Sequence, residues 1–545
     1  MSRRRRDLLA LGAAAALLFL PGLGARDLWN PDEARYAVVA REMLERGDLF
    51  VPHLNGEVYT QKPPLLFWAI GTASLLTGGV DETSARLPSA LAAIGAVLFV
   101  FLLGERLFGR RAGFLAAAAF ATCAKVLWQG RFGQIDMLLV ALVTAAVWCW
   151  VAMSSRAGAR DLGGGRREAL PYLFFFFAGL ATLAKGPVGL LPPLLSILAY
   201  RALAHGRGGL RGLRLGRGLL VWAAVVAAWL LPAALAGGPE YLEQIVFRQN
   251  VTRYADPWHH FQPWYYYLTV LPGDFFPWSF LLPAALVVGR REGWLRRREG
   301  YPFLFALCWV VVTVLFFSLS SAKRTVYILT MYPALALLVG AALDRAAAAW
   351  PRDRRWIAGS LGALAALCVL LAAAVPLVAA RRADEVAVLG GEALVWKLTA
   401  AVGLLAAGAV AAWLLALRGR PLTGAAALAS GTAAMALAAF LFVVPAFDVV
   451  KSARPMSRVL DAKLAPGETY GIYPRLDSTF LFYSRRRAVP LEGEEALRRF
   501  AARPGRVWLL AQRDDLARLR GGPLPLVEVA RDPDASEGYL LLRSR

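Results

Sequence analysis

Residues 30–48 read NPDEARYAVVAREMLERGD, and residues 53–68 read HLNGEVYTQKPPLLFW. The first stretch is punctuated as a helix. Asn30 can cap it, Pro31 suits the first helical position, and Glu33 stands three residues after the cap, as a capping box requires. Gly47 is placed to end it. Spacings of three and four residues put Asp32, Arg35 and Tyr36 on one face. The second stretch sets Lys62 before a Pro-Pro pair, then turns apolar from Leu65 to Leu76. That apolar segment is short for a span, so it is expected to lie along a membrane interface and hold Lys62 at headgroup depth.

These polar stretches are an island between long apolar runs. Of the 545 residues, 58% are hydrophobic and 18% charged, a balance that suits repeated membrane crossing rather than a soluble core. About thirteen spans are predicted, near residues 8–25, 86–105, 112–129, 136–153, 170–184, 187–204, 218–236, 265–289, 302–319, 326–343, 357–380, 397–417 and 423–446. Alternate breaks are rich in Arg, beginning with Arg3–Arg6, then Arg106, Arg110 and Arg111, and ending with Arg418 and Arg420. The positive-inside rule then puts the N-terminus in the cytoplasm and the C-terminus outside. Three long pieces fall on the outer side: a first loop, 26–85; a middle loop, 237–264; and a tail, 447–545. In the tail, short apolar runs such as RVWLLA (506–511) and GYLLL (538–542) alternate with helical pattern, as at 493–503. It is expected to be a small α/β domain.

The formal net charge of +23 would suggest nucleic acid in a soluble protein. Here the arginines serve topology and anionic headgroups, and no nucleic-acid partner is expected. Cys123, Cys149, Cys308 and Cys368 all fall in apolar runs without metal or redox spacing. The basic-then-apolar N-terminus is read as a retained anchor.

Candidate chemistry gathers on the outer side. Only seven of the 61 basic residues are lysines, yet Lys62, Lys125, Lys185 and Lys323 all fall at predicted outer membrane edges. An ammonium there can bind a lipid phosphate, although snorkelling would also place one there. Asp136 opens the fourth span in RFGQIDMLL (131–139). An acid at that depth needs a partner or a task, and Arg131 is a candidate partner. SLSSAKRTVYILTMYP (318–333) sets Lys323, Arg324 and Tyr327 at another outer edge. His259 and His260 adjoin aromatic residues, and a histidine can hold a metal or a phosphate. An enzyme working outside needs a donor already flipped across, such as a polyprenyl phosphate sugar. A lipid-sugar flippase would instead place charge mid-span with access from both faces.

The first-loop motif, RFGQIDMLL, the AKG turn at 184–186 and the SAKRTVYIL segment occur in an order that resembles a known family. It comprises the bacterial GT-C membrane glycosyltransferases related to protein O-mannosyltransferases and lipid A aminoarabinose transferases. The resemblance implies an all-α polytopic GT-C domain over 1–446 and a periplasmic α/β domain over 447–545. It implies transfer, with inversion, from undecaprenyl phosphate-sugar to lipid A, lipopolysaccharide or a related envelope acceptor at the bacterial inner membrane. Protein O-glycosyl transfer is the alternative. By position Asp32 and Asp136 match the family's acids, Lys62 its phosphate-contacting lysine, Lys323 and Tyr327 its late outer-edge pair, and His260 the histidine before its aromatic run. With the reading of the residues themselves, the catalytic candidates are Asp32, Asp136 and Glu33, the donor phosphate candidates Lys62, Lys185, Lys323, Arg324 and Tyr327, and the substrate cavity candidates Arg35, Tyr36 and His260. Relatives carry Glu before the motif lysine, as part of a metal site. Here the residue is Gln61, a poor metal ligand, which weakens the case for a divalent metal at His260.

Overall fold

The computed structural model describes residues 2–154, 164–206, 214–252, 261–294, 301–520, 522–532 and 538–544. The first helices are α1 (Arg3–Phe19), α2 (Asp32–Arg46), α3 (Leu65–Thr77), α4 (Glu82–Phe108), α5 (Arg110–Ala121), α6 (Ala124–Gln129) and α7 (Ile135–Ser154). Among the described residues, nine helices are long and apolar enough to cross a membrane. Tyr266–Asp274 and Trp278–Arg291 form a further apolar pair, bent by 109°. The other three predicted spans fall on α1, on α5 and on Ala169–Lys185, the apolar part of the helix Gly164–Lys185. The chain is a multi-pass membrane protein.

Burial sorts these helices. Thr325–Ala348 is central, with 89% of its apolar window enclosed, whereas only 17% of the window of Trp350–Arg381 is enclosed. Where helices pack closely, small residues allow it. A Cβ added to Gly104 of α4 would lie 2.4 Å from the Gly113 Cα of α5, so this crossing admits no larger residue at either position.

α2 starts at Asp32 and stops at Gly47, which takes the left-handed conformation that favours glycine. The capping box predicted from Asn30 does not form. Pro31 precedes the helix without a side-chain cap, because Glu33 is drawn into an ion network instead. α4 carries the box that α2 lacks, made by Asp81 and Ser84. α3 has 13 residues. Its length of about 20 Å falls short of a ~30 Å hydrocarbon core, as expected for an interfacial helix.

The tail holds a mixed five-stranded sheet, ordered β4-β3-β5-β7-β6. Its strands are β3 (Tyr470–Tyr473), β4 (Ala488–Pro490), β5 (Trp508–Gln512), β6 (Leu526–Arg531) and β7 (Tyr539–Ser544). The apolar runs at 506–511 and 538–542 thus overlap the adjacent antiparallel strands β5 and β7, with Leu510 opposite Leu541. β3 runs parallel to both β4 and β5. A short hairpin in the first loop pairs β1 (His53–Leu54) with β2 (Glu57–Val58).

The sheet and α2 share one core. Tyr470, Ile472, Leu510 and Leu541 pack in a cluster with Leu28, Ala34, Ala37 and Val38. Polar contacts reinforce it. Arg41 of α2 donates to the carbonyls of Leu481 and Phe482, both at 2.8 Å. Asp448 accepts from the Asp27 amide at 2.9 Å and from Trp29 Nε1 at 2.7 Å. Asn55 exchanges two hydrogen bonds with the Ala488 backbone. The tail is therefore a brace for the helix that carries Asp32.

Candidate active site

One cavity collects most of the predicted residues. Its lining includes Asp32 and Tyr36 from α2, Lys62 from the first loop and Asp136 from the start of α7. Lys185 comes from the end of Gly164–Lys185, Ser320 and Arg324 from the segment before the central helix, and Tyr327 from that helix's first turn. The cavity volume is about 110 Å³, and the cavity opens to the surface.

Asp32 Oδ2 accepts from Arg324 Nη2 and from Gln134 Nε2, both at 3.3 Å. Asp136 Oδ1 pairs closely with Lys185 Nζ. This replaces the partner expected from sequence, because Arg131 turns away to donate to the Leu18 and Pro21 carbonyls. Lys185 Nζ also sits 5.0 Å from the centre of the Tyr327 ring, a cation–π distance. Burial, and then the Asp32 charge, hold the Tyr36 phenol well above its ordinary pKa, so it acts as a neutral hydrogen-bonding group.

Glu33 does not reach the cavity. It is 2% exposed and its carboxylate is saturated. Arg26 binds it through two nitrogens at 2.8 and 2.9 Å, and Arg86 through two at 2.9 and 3.1 Å. The Gly133 amide adds a bond at 2.8 Å. Burial pushes its pKa up, but the Arg86 and Arg26 guanidiniums outweigh that and hold it at about 2. The catalytic role expected for Glu33 is therefore replaced by a structural one. The segment RFGQID ties the site together: the Gly133 amide fixes Glu33, the Gln134 side chain reaches Asp32, and Asp136 holds Lys185. Gly133 itself must be small, since a Cβ there would lie 2.8 Å from the Ala85 carbonyl oxygen.

Lys323 is also displaced from its expected role. It is 4% exposed, and its ammonium donates to the Ser320 carbonyl at 2.6 Å and the Gln262 carbonyl at 3.1 Å. The reason is local. Arg324 has extended backbone, φ −128° and ψ 147°, and in extended chain alternate side chains share a face. Ala322 and Arg324 face the cavity, while Lys323 clasps the chain around Gln262. Lys125 is likewise elsewhere, 3.6 Å from Asp274 and 2.5 Å from Thr325 Oγ1.

Arg35 lines a second, more polar cavity of about 290 Å³ between the start of α2 and the tail. Its Nη1 meets Gln61 Oε1 at 3.5 Å. His260 lies outside the described residues. Among the described residues, no three His, Cys, Asp or Glu side chains cluster to hold a metal. The cavity's two carboxylates are each engaged by a cation, so this donor set does not fit a divalent ion and no metal step is derived. Sequence reasoning missed Gln134 as a contact of Asp32. It also missed Arg86, whose signal was a charge at the head of an apolar span, where it must find an acid.

Residues 61–232 match the family described as Dolichyl-phosphate-mannose-protein mannosyltransferase. A protein of Pectobacterium carotovorum named undecaprenyl phosphate-alpha-4-amino-4-deoxy-L-arabinose arabinosyl transferase is 35% identical, over 65% of this chain and 63% of its own length. The protein of the same name in Erwinia tasmaniensis is 32% identical, over 72% of this chain and 71% of its own. Matches to the Pectobacterium atrosepticum and Aeromonas salmonicida relatives span 57% and 64% of those proteins, so with several relatives less than two thirds of their length is shared. The fold is similar to that of ArnT from Cupriavidus metallidurans bound to undecaprenyl phosphate, with a TM-score of 0.80 at 23% identity, covering 98% of this chain and 97% of that one. An Archaeoglobus fulgidus oligosaccharyltransferase gives a TM-score of 0.56 at 13% identity, over 94% of this chain and 70% of its own. By sequence over most of its length and by fold over nearly all of it, the chain belongs to the bacterial undecaprenyl phosphate-aminoarabinose arabinosyl transferase family, with the GT-C membrane fold.

Proposed function

We propose that this chain is a glycosyltransferase that moves a sugar from a polyprenyl (undecaprenyl) phosphate carrier to lipid A or a related envelope acceptor. The reaction takes place at the periplasmic face of the bacterial inner membrane. The observation that carries the reading is the cavity in which Asp32 and Asp136 meet Lys62, Lys185 and Arg324, drawn from separate segments of the chain. A departing lipid phosphate needs such cations, and a nucleophilic hydroxyl needs a carboxylate base beside them. The relatives' names, which specify undecaprenyl phosphate, support the donor class. The Arg alternation supports a cytoplasmic N-terminus and an outer tail. On this reading residues 1–446 form the catalytic membrane domain and 447–545 the periplasmic brace.

In the proposed step an acceptor oxygen attacks the anomeric carbon from the side opposite the phosphate. The carbon–oxygen bond to phosphate breaks, the leaving oxygen keeps the electron pair, and the anomeric centre inverts. Lys62, Lys185 and Arg324 neutralise the phosphate, and Tyr327 is placed to donate a hydrogen bond to it. Asp136 positions Lys185. Asp32 takes the proton of an acceptor hydroxyl, or orients an acceptor phosphate that needs no base. The second cavity, on the other side of the first turn of α2, suits the acceptor headgroup.

Arg324→Gln removes one charge-assisted contact, so kcat/KM for the donor should fall about 10–100-fold. Steady-state kinetics with purified protein measure this, and an unchanged value would remove Arg324 from the donor site.

A second reading, protein O-glycosylation, draws on the mannosyltransferase family match at 61–232. Mass spectrometry of lipid A and of glycoproteins from a deletion strain separates the two. Lipid A should lose a glycosyl group while glycoproteins stay unchanged. The reverse pattern would select the protein acceptor.

A further inference from the structure

A third cavity, of about 260 Å³, lies between the C-terminal half of α2, the β1–β2 hairpin and the tail. Five guanidiniums line it, those of Arg41, Arg46, Arg485, Arg486 and Arg487, together with Glu42 and Glu45. Glu42 accepts from the Asn55 and Gly56 amides at 2.7 and 3.0 Å, and Glu45 stands 3.8 Å from Arg41. Arg486 turns inward, to Asp461 and the Leu464 and Ala465 carbonyls. Arg46 donates to the Gly56 carbonyl at 2.9 Å. Arg487 lies against the same glycine, where an added Cβ would come within 3.0 Å of its Cζ. Arg46, Arg485 and Arg487 are exposed. Burial lowers the Arg41 pKa, and of the neighbouring charges Glu45 raises it while Arg485 lowers it further, so Arg41 and Arg485 meet as like charges.

The turn that follows α2 is pinned to the interfacial helix α3 and to a membrane span. Trp68 Nε1 of α3 donates to the Leu49 carbonyl at 2.7 Å, and Trp229 Nε1, from the span Leu215–Gln249, donates to the Phe50 carbonyl at 3.0 Å. Tryptophan is enriched at membrane–water boundaries. Leu49 and Phe50 are 47% and 40% exposed at this turn, and Leu44, in the last turn of α2, is 45% exposed and lies against Gly71 of α3. A solvated face accounts for exposed arginines. It does not account for large apolar side chains left open within a few residues of them. Apolar side chains beside guanidiniums suit a headgroup layer, the first entering the acyl boundary and the second meeting lipid phosphates.

We propose that this rim, formed by the end of α2, its turn and the arginines of the cavity, docks on the leaflet that the tail faces and binds the phosphates of anionic phospholipids. The contact ties the far end of the helix that carries Asp32, and the tail that braces it, to the membrane surface.

The test is site-directed quenching in full-length protein. The four cysteines are buried, so Phe50→Cys takes up a thiol-reactive fluorophore selectively. The labelled protein is placed in phosphatidylcholine nanodiscs. Phosphatidylglycerol carrying a nitroxide high on one acyl chain is titrated in, and in a parallel series the matching nitroxide phosphatidylcholine. Both should quench, and the phosphatidylglycerol should reach half-quenching at a mole fraction about tenfold lower. Arg485→Gln with Arg487→Gln should erase most of that difference and leave quenching by phosphatidylcholine as it was. High salt on the wild-type arginines should shrink the difference as well, because exposed charges are screened, and this arm does not depend on how the variant folds. A fluorophore that neither lipid quenches overturns the docking. Equal quenching by the two lipids overturns the recognition of anionic headgroups. A preference unchanged by the substitutions or by salt removes the arginines from it, and overturns the proposal. Unlabelled lipid A that, at matched phosphate, displaces the nitroxide phosphatidylglycerol far better than unlabelled phosphatidylglycerol does would make the cavity part of an acceptor site, and overturn its assignment to phospholipid.

Discussion

Asp32→Asn should abolish sugar transfer, lowering turnover by about 10²–10⁴-fold, the span of general acid–base catalysis, while leaving the protein folded. The substitution keeps the shape of the side chain and removes its charge. Asp32 sits on the cavity wall, where its Oδ2 is fixed by Arg324 and Gln134, which leaves Oδ1 for an acceptor proton. The anchoring of α2 does not pass through Asp32. It passes through Glu33 and through the core shared with the tail. Kinetics and thermal unfolding on the same preparation check both halves, and near-normal turnover would remove Asp32 from the chemistry.

Glu33→Gln should do the opposite, acting first on stability. The carboxylate faces Arg26 and Arg86 in a fully enclosed site. Removing its charge leaves two buried guanidiniums uncompensated, and breaking a buried pair this way costs about 3–5 kcal/mol. The pH dependence gives an independent readout. Glu33 titrates at about 2 in the folded protein, against an ordinary value of 4.5. A depressed folded-state pKa stabilises the protein fully above the ordinary value, and that stabilisation is lost as pH falls from about 4.5 towards 2. The linked contribution is about 3 kcal/mol. Thermal unfolding followed from pH 6 to pH 3 should show wild type losing stability in this window. Glu33→Gln should start several degrees lower and lack that component of the loss. Equal unfolding temperatures at pH 6 would contradict the role assigned to the network.

These two neighbours show how much of the site was legible. Residue type and spacing placed Asp32, Asp136, Lys62, Lys185 and Tyr327 near one another, because charges at one membrane edge have few places to go. Helix spacing could not say that Asp32 faces a cavity while Glu33 faces Arg86, since that depends on where α4 packs. The same limit applies to Lys323 and Arg324. Sequence marks both as cations at an outer edge, and only the extended backbone decides which faces inward. Asp136 found Lys185 rather than the sequence-near Arg131 because the packing of α7 against Gly164–Lys185 sets the distance, and chain proximity does not. The helices were read from hydropathy nearly span for span. In the tail, the runs at β5 and β7 were visible as apolar patches, whereas β4 is only three residues long and gives no periodic signal.

The central claim is an outward-facing transferase fed by a lipid-phosphate sugar. Purified protein reconstituted in liposomes, given polyprenyl phosphate carrying a radiolabelled sugar and supplied with lipid A, tests it most directly. The account predicts label in the lipid A fraction, an equal amount of free polyprenyl phosphate, and neither product with Asp32→Asn. Labelled donor that crosses the bilayer intact, with no new glycosidic bond formed, would contradict it and make the protein a carrier of lipid-linked sugar.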